Sequence, residues 1–291
     1  VEISQTQIKS TSKVFERRRT VIAPVGDVQL GSNACDEDGF KRYIEEAMKR
    51  DAWFIGMGDY VDVASPSNRV KLKSTEFYDS VEDMIEEGAE RHLERFKRIV
   101  KGTEGRWLGM LSGHHYFEFR DGTTSDTRLC QALRTKHLGS SAFVRLHWGY
   151  KGEDRVIGKV SRTFWLHHGA GGGGKTSAPL NKLENIVPYF EADVYLIGHM
   201  HKKVSAPIDH LYLTTSKSPS IAHRTRYLVG TGSYLKGYMM GHQTPSGVAT
   251  GTYVEQRMLS PVALGGVFIT MTPRRESKSS RGWQIETRVE L

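Results

Sequence analysis

Two histidines one residue apart close the run Val194-Tyr195-Leu196-Ile197-Gly198-His199-Met200-His201. Four apolar residues read as a short buried strand. The glycine lets the chain turn tightly and lets other groups approach its backbone. His199 and His201 then leave the strand on a turn where two imidazoles can converge, and imidazole is the commonest metal-ligating side chain. A lone His-x-His says little, but the pattern recurs. Apolar runs also end in Gly26-Asp27-Val28-Gln29, in Gly58-Asp59-Tyr60-Val61-Asp62, in Ser112-Gly113-His114-His115 and in His167-His168-Gly169. Carboxylates mixed with imidazoles suit Mn, Fe, Co, Ni or Zn. So many potential ligands are too many for one such ion and suit two that share a carboxylate.

The elements that must position these residues follow from periodicity. Strands are expected at 20–23, 52–57, 107–111, 142–148 and 160–167, besides 194–197. Helices are expected at 36–50, where Phe40, Tyr43, Ile44, Ala47 and Met48 share a face, and at 76–101, 124–136 and 181–190. Residues 63–74 read as a basic polar loop. The chain then becomes strand-rich from about residue 205, with strands at 211–214, 227–231, 267–271 and 283–289 and a basic hairpin-like loop at 273–281. Alternating strands and helices argue for an α/β layered domain. In such sheets, ligands bind beyond the carboxyl ends of the strands. Residues 1–19 read as a polar, basic N-terminal segment, loose or at a sheet edge, ahead of one domain over 20–291.

The ordered series Asp-x-Gln, Gly-Asp-x-x-Asp, Gly-His-His, His-His-Gly and Gly-His-Met-His resembles the calcineurin-like metallophosphoesterase family. The likeness spans residues 20–201, and Gly230-Thr231-Gly232-Ser233 extends it to about 233 as the family's Gly-Ser turn. The resemblance implies a single-domain, four-layer α/β/β/α sandwich with two divalent metal ions at its rim. Asp27, Gln29, Asp59 and His201 would hold the first ion and Asp59 would bridge. His114, His167 or His168, and His199 would hold the second, with His167 favoured because a small residue two positions after the ligand is common in the family. His115 matches the family histidine that contacts phosphate and aids the leaving group. Asp62 reads either as support for a ligand or as a plain loop carboxylate. Gln29 stands where the family has histidine, and His114 where it has asparagine. A neutral amide is the poorer ligand, so the first site is expected to be weaker or to take a harder ion such as Mn. A second alignment puts Gly113 at the asparagine position and His114 at the catalytic histidine.

The activity implied is phosphoester hydrolysis by a metal-activated water. The net charge of +8 favours a polyanionic substrate, hence a phosphodiesterase or nuclease acting on nucleic acid or nucleotides. Arg224, Arg226, Lys202, Lys203, Arg274 and Arg275 are candidate nucleic-acid contacts, with Tyr227, Tyr234 and Tyr238 as stacking platforms. A protein or small-molecule phosphatase is the alternative enzyme. A degenerate, non-catalytic binding scaffold is the alternative of another class. Gly169–Thr176 also fits the phosphate-binding pattern G-x-x-x-x-G-K-[ST], although Pro179 follows too closely for a helix to open at Lys175. A looser role leaves Lys175 as a substrate contact beside the site. Two cysteines and the absence of a secretory signal or membrane span point to the cytoplasm, and the oligomeric state stays open.

Overall fold

The computed structural model describes residues 9–16, 18–151, 156–215, 217–244, 246–275 and 283–291. Two sheets carry the chain. The first has five strands in the order β11-β10-β2-β3-β4, and the second six in the order β1-β5-β6-β7-β9-β8. In the first, β2 (Thr20–Gly26), β3 (Trp53–Gly58) and β4 (Trp107–Met110) run parallel, and β10 (Phe268–Arg275) with β11 (Trp283–Glu290) close one edge antiparallel. In the second, β6 (Val156–His167), β7 (Val194–Ile197) and β9 (Ile221–Thr231) are parallel. Around them stand β1 (Lys9–Phe15), β5 (Ser141–Lys151) and β8 (Lys203–Leu213).

Side-chain alternation along the strands divides the apolar residues into three cores. Val21, Ala23 and Val25 of β2 meet Phe40, Ile44 and Ala47 of α1 (Glu37–Lys49) and Leu93 and Phe96 of α3 (Asp79–Ile99). Ile22, on the other face of β2, joins Ile55 and Met57 and packs on Val144, Phe164, Leu166 and Leu196 of the second sheet. Trp165, Tyr195 and Leu228, on the outer face of that sheet, pack on Leu183 of α5 (Ala178–Glu184). Full burial of each Val, Leu, Ile, Met or Phe among these contributes about 1.5–3 kcal/mol. The parallel strands are therefore held on both faces, which fixes where their ends lie.

Three expectations change, and a fourth, an edge position for part of the N-terminal segment, is met. The polar loop at 63–74 contains α2 (Pro66–Ser74), capped by Ser65, whose hydroxyl accepts from Asn68 N–H at 3.3 Å. The N-terminal segment contains β1, an edge strand as one of the two readings expected, which pairs in parallel with β5 and buries Phe15 against Trp148. The strand expected at 211–214 begins at Lys203, and residues 273–275 of the expected basic loop continue β10. The rest of that loop lies outside the described residues. Among the described residues no helix is long and apolar enough to cross a membrane.

Candidate metal centre

The carboxyl ends of β2, β3, β4, β6 and β7 meet at one rim, and the next residues carry the expected ligands. Among the described residues eight non-glycine positions have left-handed φ, and five of them are Asp27 (48°), Gln29 (49°), Asp59 (52°), His199 (62°) and His201 (58°). Such backbone costs on the order of 1–3 kcal/mol per residue and persists only where surrounding contacts impose it. Here Asp27 N–H donates to Gly58 O at 3.0 Å and Gln29 N–H to Asp59 O at 3.0 Å. Ser233 Oγ and Tyr234 N–H both donate to Asp27 O at 3.0 Å, so the Gly-Ser turn clamps the first ligand loop.

The glycines preceding the ligands are there for space. A Cβ on Gly58 would stand 2.6 Å from His168 Nδ1, on Gly113 2.0 Å from Asp59 Oδ1, and on Gly198 2.8 Å from Asp27 Oδ2.

Asp59, His114, His168 and His199 offer ligand atoms that all lie within 4.8 Å of one another. Asp59 Oδ1 accepts the backbone N–H groups of His114 and of His115 (2.9 Å for the latter). His114 Nδ1 and His199 Nδ1 are 3.2 Å apart. His168 Nδ1 lies 2.7 Å from Met57 O, which sets it as the donor and leaves Nε2 with its lone pair. That Nε2 faces Asp59 Oδ2 at 3.3 Å, in a close contact without hydrogen-bond geometry, and neither buried atom has a hydrogen-bond partner among the described residues. Two facing lone-pair atoms need a cation between them, a proton or a metal ion. Burial opposes charge on His168, yet the Asp59 carboxylate outweighs it and holds the imidazole up at about 9. Burial, with repulsion from His168, pulls His199 down to about 4 and also lowers His114, so both present neutral nitrogens.

Asp27, Gln29 and His201 form a second group beside the first. Asp27 is fully buried, its Oδ2 accepts His199 N–H at 2.8 Å, and its Oδ1 lacks a hydrogen-bond partner while facing His201 Nε2 at 3.4 Å. The Gln29 amide lies 3.4 Å from the same imidazole nitrogen. Orphaned carboxylate oxygens and a donor set of carboxylates, imidazoles and one amide fit divalent transition ions.

His167, favoured in the sequence reading, is not in this cluster, and His168 takes the place. Successive side chains on a strand point to opposite faces. His167 shares the outer face with Trp165, on which it stacks with ring centroids 5.6 Å apart, and its Nδ1 accepts Gly169 N–H at 2.7 Å. His115 lies beside the cluster, its Nδ1 2.8 Å from Asp62 Oδ1. Burial lowers His115, but the Asp62 bond and the Asp59 charge outweigh it and raise its pKa overall. A cleft of about 650 Å³ opens over Gln29, Asp59, His115, His199 and His201.

Two neighbours escaped the sequence reading. Arg69 of α2 donates from Nη1 to the carbonyls of Ala64 (2.8 Å), His114 (2.6 Å) and Tyr116 (3.0 Å), and so grips the loop that carries His114 and His115. Asp126, buried in α4 (Ser125–Ala132), accepts Gly113 N–H at 3.3 Å. Burial raises its pKa from 3.8 to about 7. Between those values the folded chain holds a proton that the unfolded chain has lost, so this group makes stability fall as pH rises across that window. Asp126→Asn is expected to remove that fall, on the order of 1.4 kcal/mol for each pH unit of the window. The check is the urea midpoint of metal-free protein at successive pH values. An unchanged slope would exclude a protonated Asp126.

The phosphate-loop pattern at Gly169–Thr176 does not open a helix at Lys175, because α5 starts at Ala178 with Pro179 in its first turn. Gly171 to Gly174 line the cleft, while Lys175 is exposed and outside that lining. Several expected nucleic-acid contacts are engaged within the fold. Arg224 pairs with Glu191 and Asp193, Arg226 with Glu191, and Arg274 with Glu286. Tyr234 is buried against Phe40, Tyr227 donates to Thr287 O at 2.9 Å, and Tyr238 is exposed.

No family model matches the chain, and no curated protein matches it. Among solved structures it is similar to Vacuolar Protein Sorting 29 from Cryptosporidium parvum, with a TM-score of 0.37 and 12% identity over 94% of this chain and 98% of that one. It is also similar to Vps29 of Chaetomium thermophilum, with a TM-score of 0.32 and 10% identity over 93% and 96%. These likenesses are too distant to carry an argument about activity.

Proposed function

We propose that this protein is a metal-dependent phosphoester hydrolase built as a four-layer α/β/β/α sandwich of the calcineurin-like metallophosphoesterase type. The three apolar cores, one between the sheets and one under helices on each outer side, support the layering. The observation that carries the activity is the buried, unpaired set Asp27 Oδ1, Asp59 Oδ2 and His168 Nε2 gathered at one rim, the two carboxylates on strained backbone. Asp59, His114, His168 and His199 would hold one divalent ion, and Asp27, Gln29 and His201, with Asp59 shared, a second; Mn suits the mixed set. When bound, such ions lower the pKa of water and clamp the phosphoryl oxygens of an in-line displacement.

The residues themselves supply orientation and a proton. Asp59 fixes the His114–His115 loop through two backbone N–H groups. Asp62 holds His115 by Nδ1, which leaves Nε2 for the substrate. A raised pKa keeps His115 protonated to higher pH, as a donor to the leaving oxygen requires. The cleft and the basic charge favour phosphodiesters of nucleotides or nucleic acid over phosphorylated protein.

The test combines metal titration with a substrate panel of aryl monoesters, aryl diesters and single- and double-stranded nucleic acid under Mn, Ni, Zn and Mg. Apo-protein should show one tight and one weaker binding event, because a neutral amide replaces an imidazole in the second group. Gln29→His should tighten the weaker event. Two equal tight sites, or no change in that variant, would overturn the asymmetry. Phosphopeptide turnover without diester cleavage would make the protein a phosphatase. No bound metal and no hydrolysis would leave a binding scaffold.

A further inference from the structure

Lys202 follows His201 directly and borders the same cleft, yet only 7% of its surface is exposed. Its ammonium donates to Gly174 O at 3.1 Å and to Ser260 Oγ at 2.7 Å, and Ser260 Oγ itself donates to Gly174 O at 2.7 Å. Both acceptors are neutral. No ion pair includes Lys202 among the described residues, whereas the other cation with a covered side chain, Arg226, has Glu191. An ammonium has three donors, so one donor and the whole charge stay unmatched. The stem is covered, but Gly174 and Ser260 are exposed, so the charged end reaches the cleft surface where an anion can meet it, and a neutral donor would tie Gly174 to Ser260 as well.

We propose that Lys202 forms an anion subsite for a second phosphate of the substrate, one not cleaved, next to the metal-binding residues. The proposal rests on the hydrolase reading for the identity of the first phosphate. The glycine wall supports it, because a Cβ on Gly172 or Gly174 would meet nothing within 4 Å, so an anion can approach bare backbone there. Leu235, Val254, Leu259 and Val262 line the cleft as well and give apolar surface for a nucleoside. The substrate class is a nucleotide bearing two or more phosphates, either along a strand or in a polyphosphate.

The experiment compares Mn-loaded protein on bis(p-nitrophenyl) phosphate, ADP and a 5′-phosphorylated thymidine dinucleotide. One charge-assisted hydrogen bond corresponds to about tenfold or more in affinity, so KM should be at least that much lower for the substrate carrying the second phosphate. The better of ADP and the dinucleotide names the source. That advantage should collapse toward unity in Lys202→Met and return in part in Lys202→Arg. Ser260→Asp keeps the lysine but supplies an internal counter-ion, and should abolish the advantage too. A parallel calorimetric titration compares pyrophosphate with inorganic phosphate, and pyrophosphate should bind more tightly to wild type alone. If nothing is hydrolysed while that difference stands, the hydrolase reading falls and the subsite survives. Hydrolysis with an unchanged KM ratio in Lys202→Met and in Ser260→Asp overturns the subsite and leaves Lys202 a clamp for the glycine loop.

Discussion

Asp59→Asn is expected to abolish hydrolysis and strip the metal from the cluster. The Asp59 carboxylate accepts two backbone N–H groups on one oxygen and faces His168 with the other. An amide must turn its NH₂ either toward those two donors or toward the metal position. The loss of charge stabilisation amounts to several kcal/mol, roughly a thousandfold in rate. His168→Ala and His199→Ala should behave alike, while His167→Ala should keep its metal, since His167 packs on Trp165. Metal content by mass spectrometry, with kcat on an aryl diester, decides the matter. Full metal occupancy with full activity in Asp59→Asn would remove Asp59 from the centre.

Gly113→Ala should be nearly as damaging, although it deletes no ligand. The new methyl would stand 2.0 Å from Asp59 Oδ1 and 2.1 Å from Asp59 N, neither of which can retreat without breaking the loop. Overpacking of this kind costs about 1–3 kcal/mol in stability. Displacing the Asp59 carboxylate, proposed above to serve both ions, by even 1 Å should cost roughly a hundredfold in rate. The melting temperature and the metal affinity should both fall. Wild-type metal affinity in this variant would show that the loop yields freely, and the spacing argument would fail.

These effects divide between what local sequence shows and what it does not. The strands before Asp27, Asp59, His114, His168 and His199 were legible because each ends in a short apolar run closed by glycine or histidine. Helices α1 and α3 were legible from their apolar stripes. Helix α2 was not, for it has no buried residue and rests on a serine cap and the carbonyls that Arg69 grips. The choice of His168 over His167 was not legible either. Both faces of β6 are apolar, with Phe164 and Leu166 on one and Trp165 on the other, so alternation carries no sign of which face meets the rim. Asp126 and Lys202 owe their character to burial by segments distant in sequence, which no local pattern records.

The left-handed backbone at Asp27, Gln29, Asp59, His199 and His201 also bears on how the protein responds to selection. Glycine is at ease at each of these positions, and at Gln29, His199 and His201, whose side chains hold no backbone N–H, replacing the strained residue relieves about 1 kcal/mol or more. A thermostability screen run without an activity readout would therefore favour variants that erode the centre one position at a time. Directed evolution of this scaffold should couple heat challenge to turnover in every round. Glycine at Gln29, His199 or His201 in a heat-selected clone is a mark of inactivation.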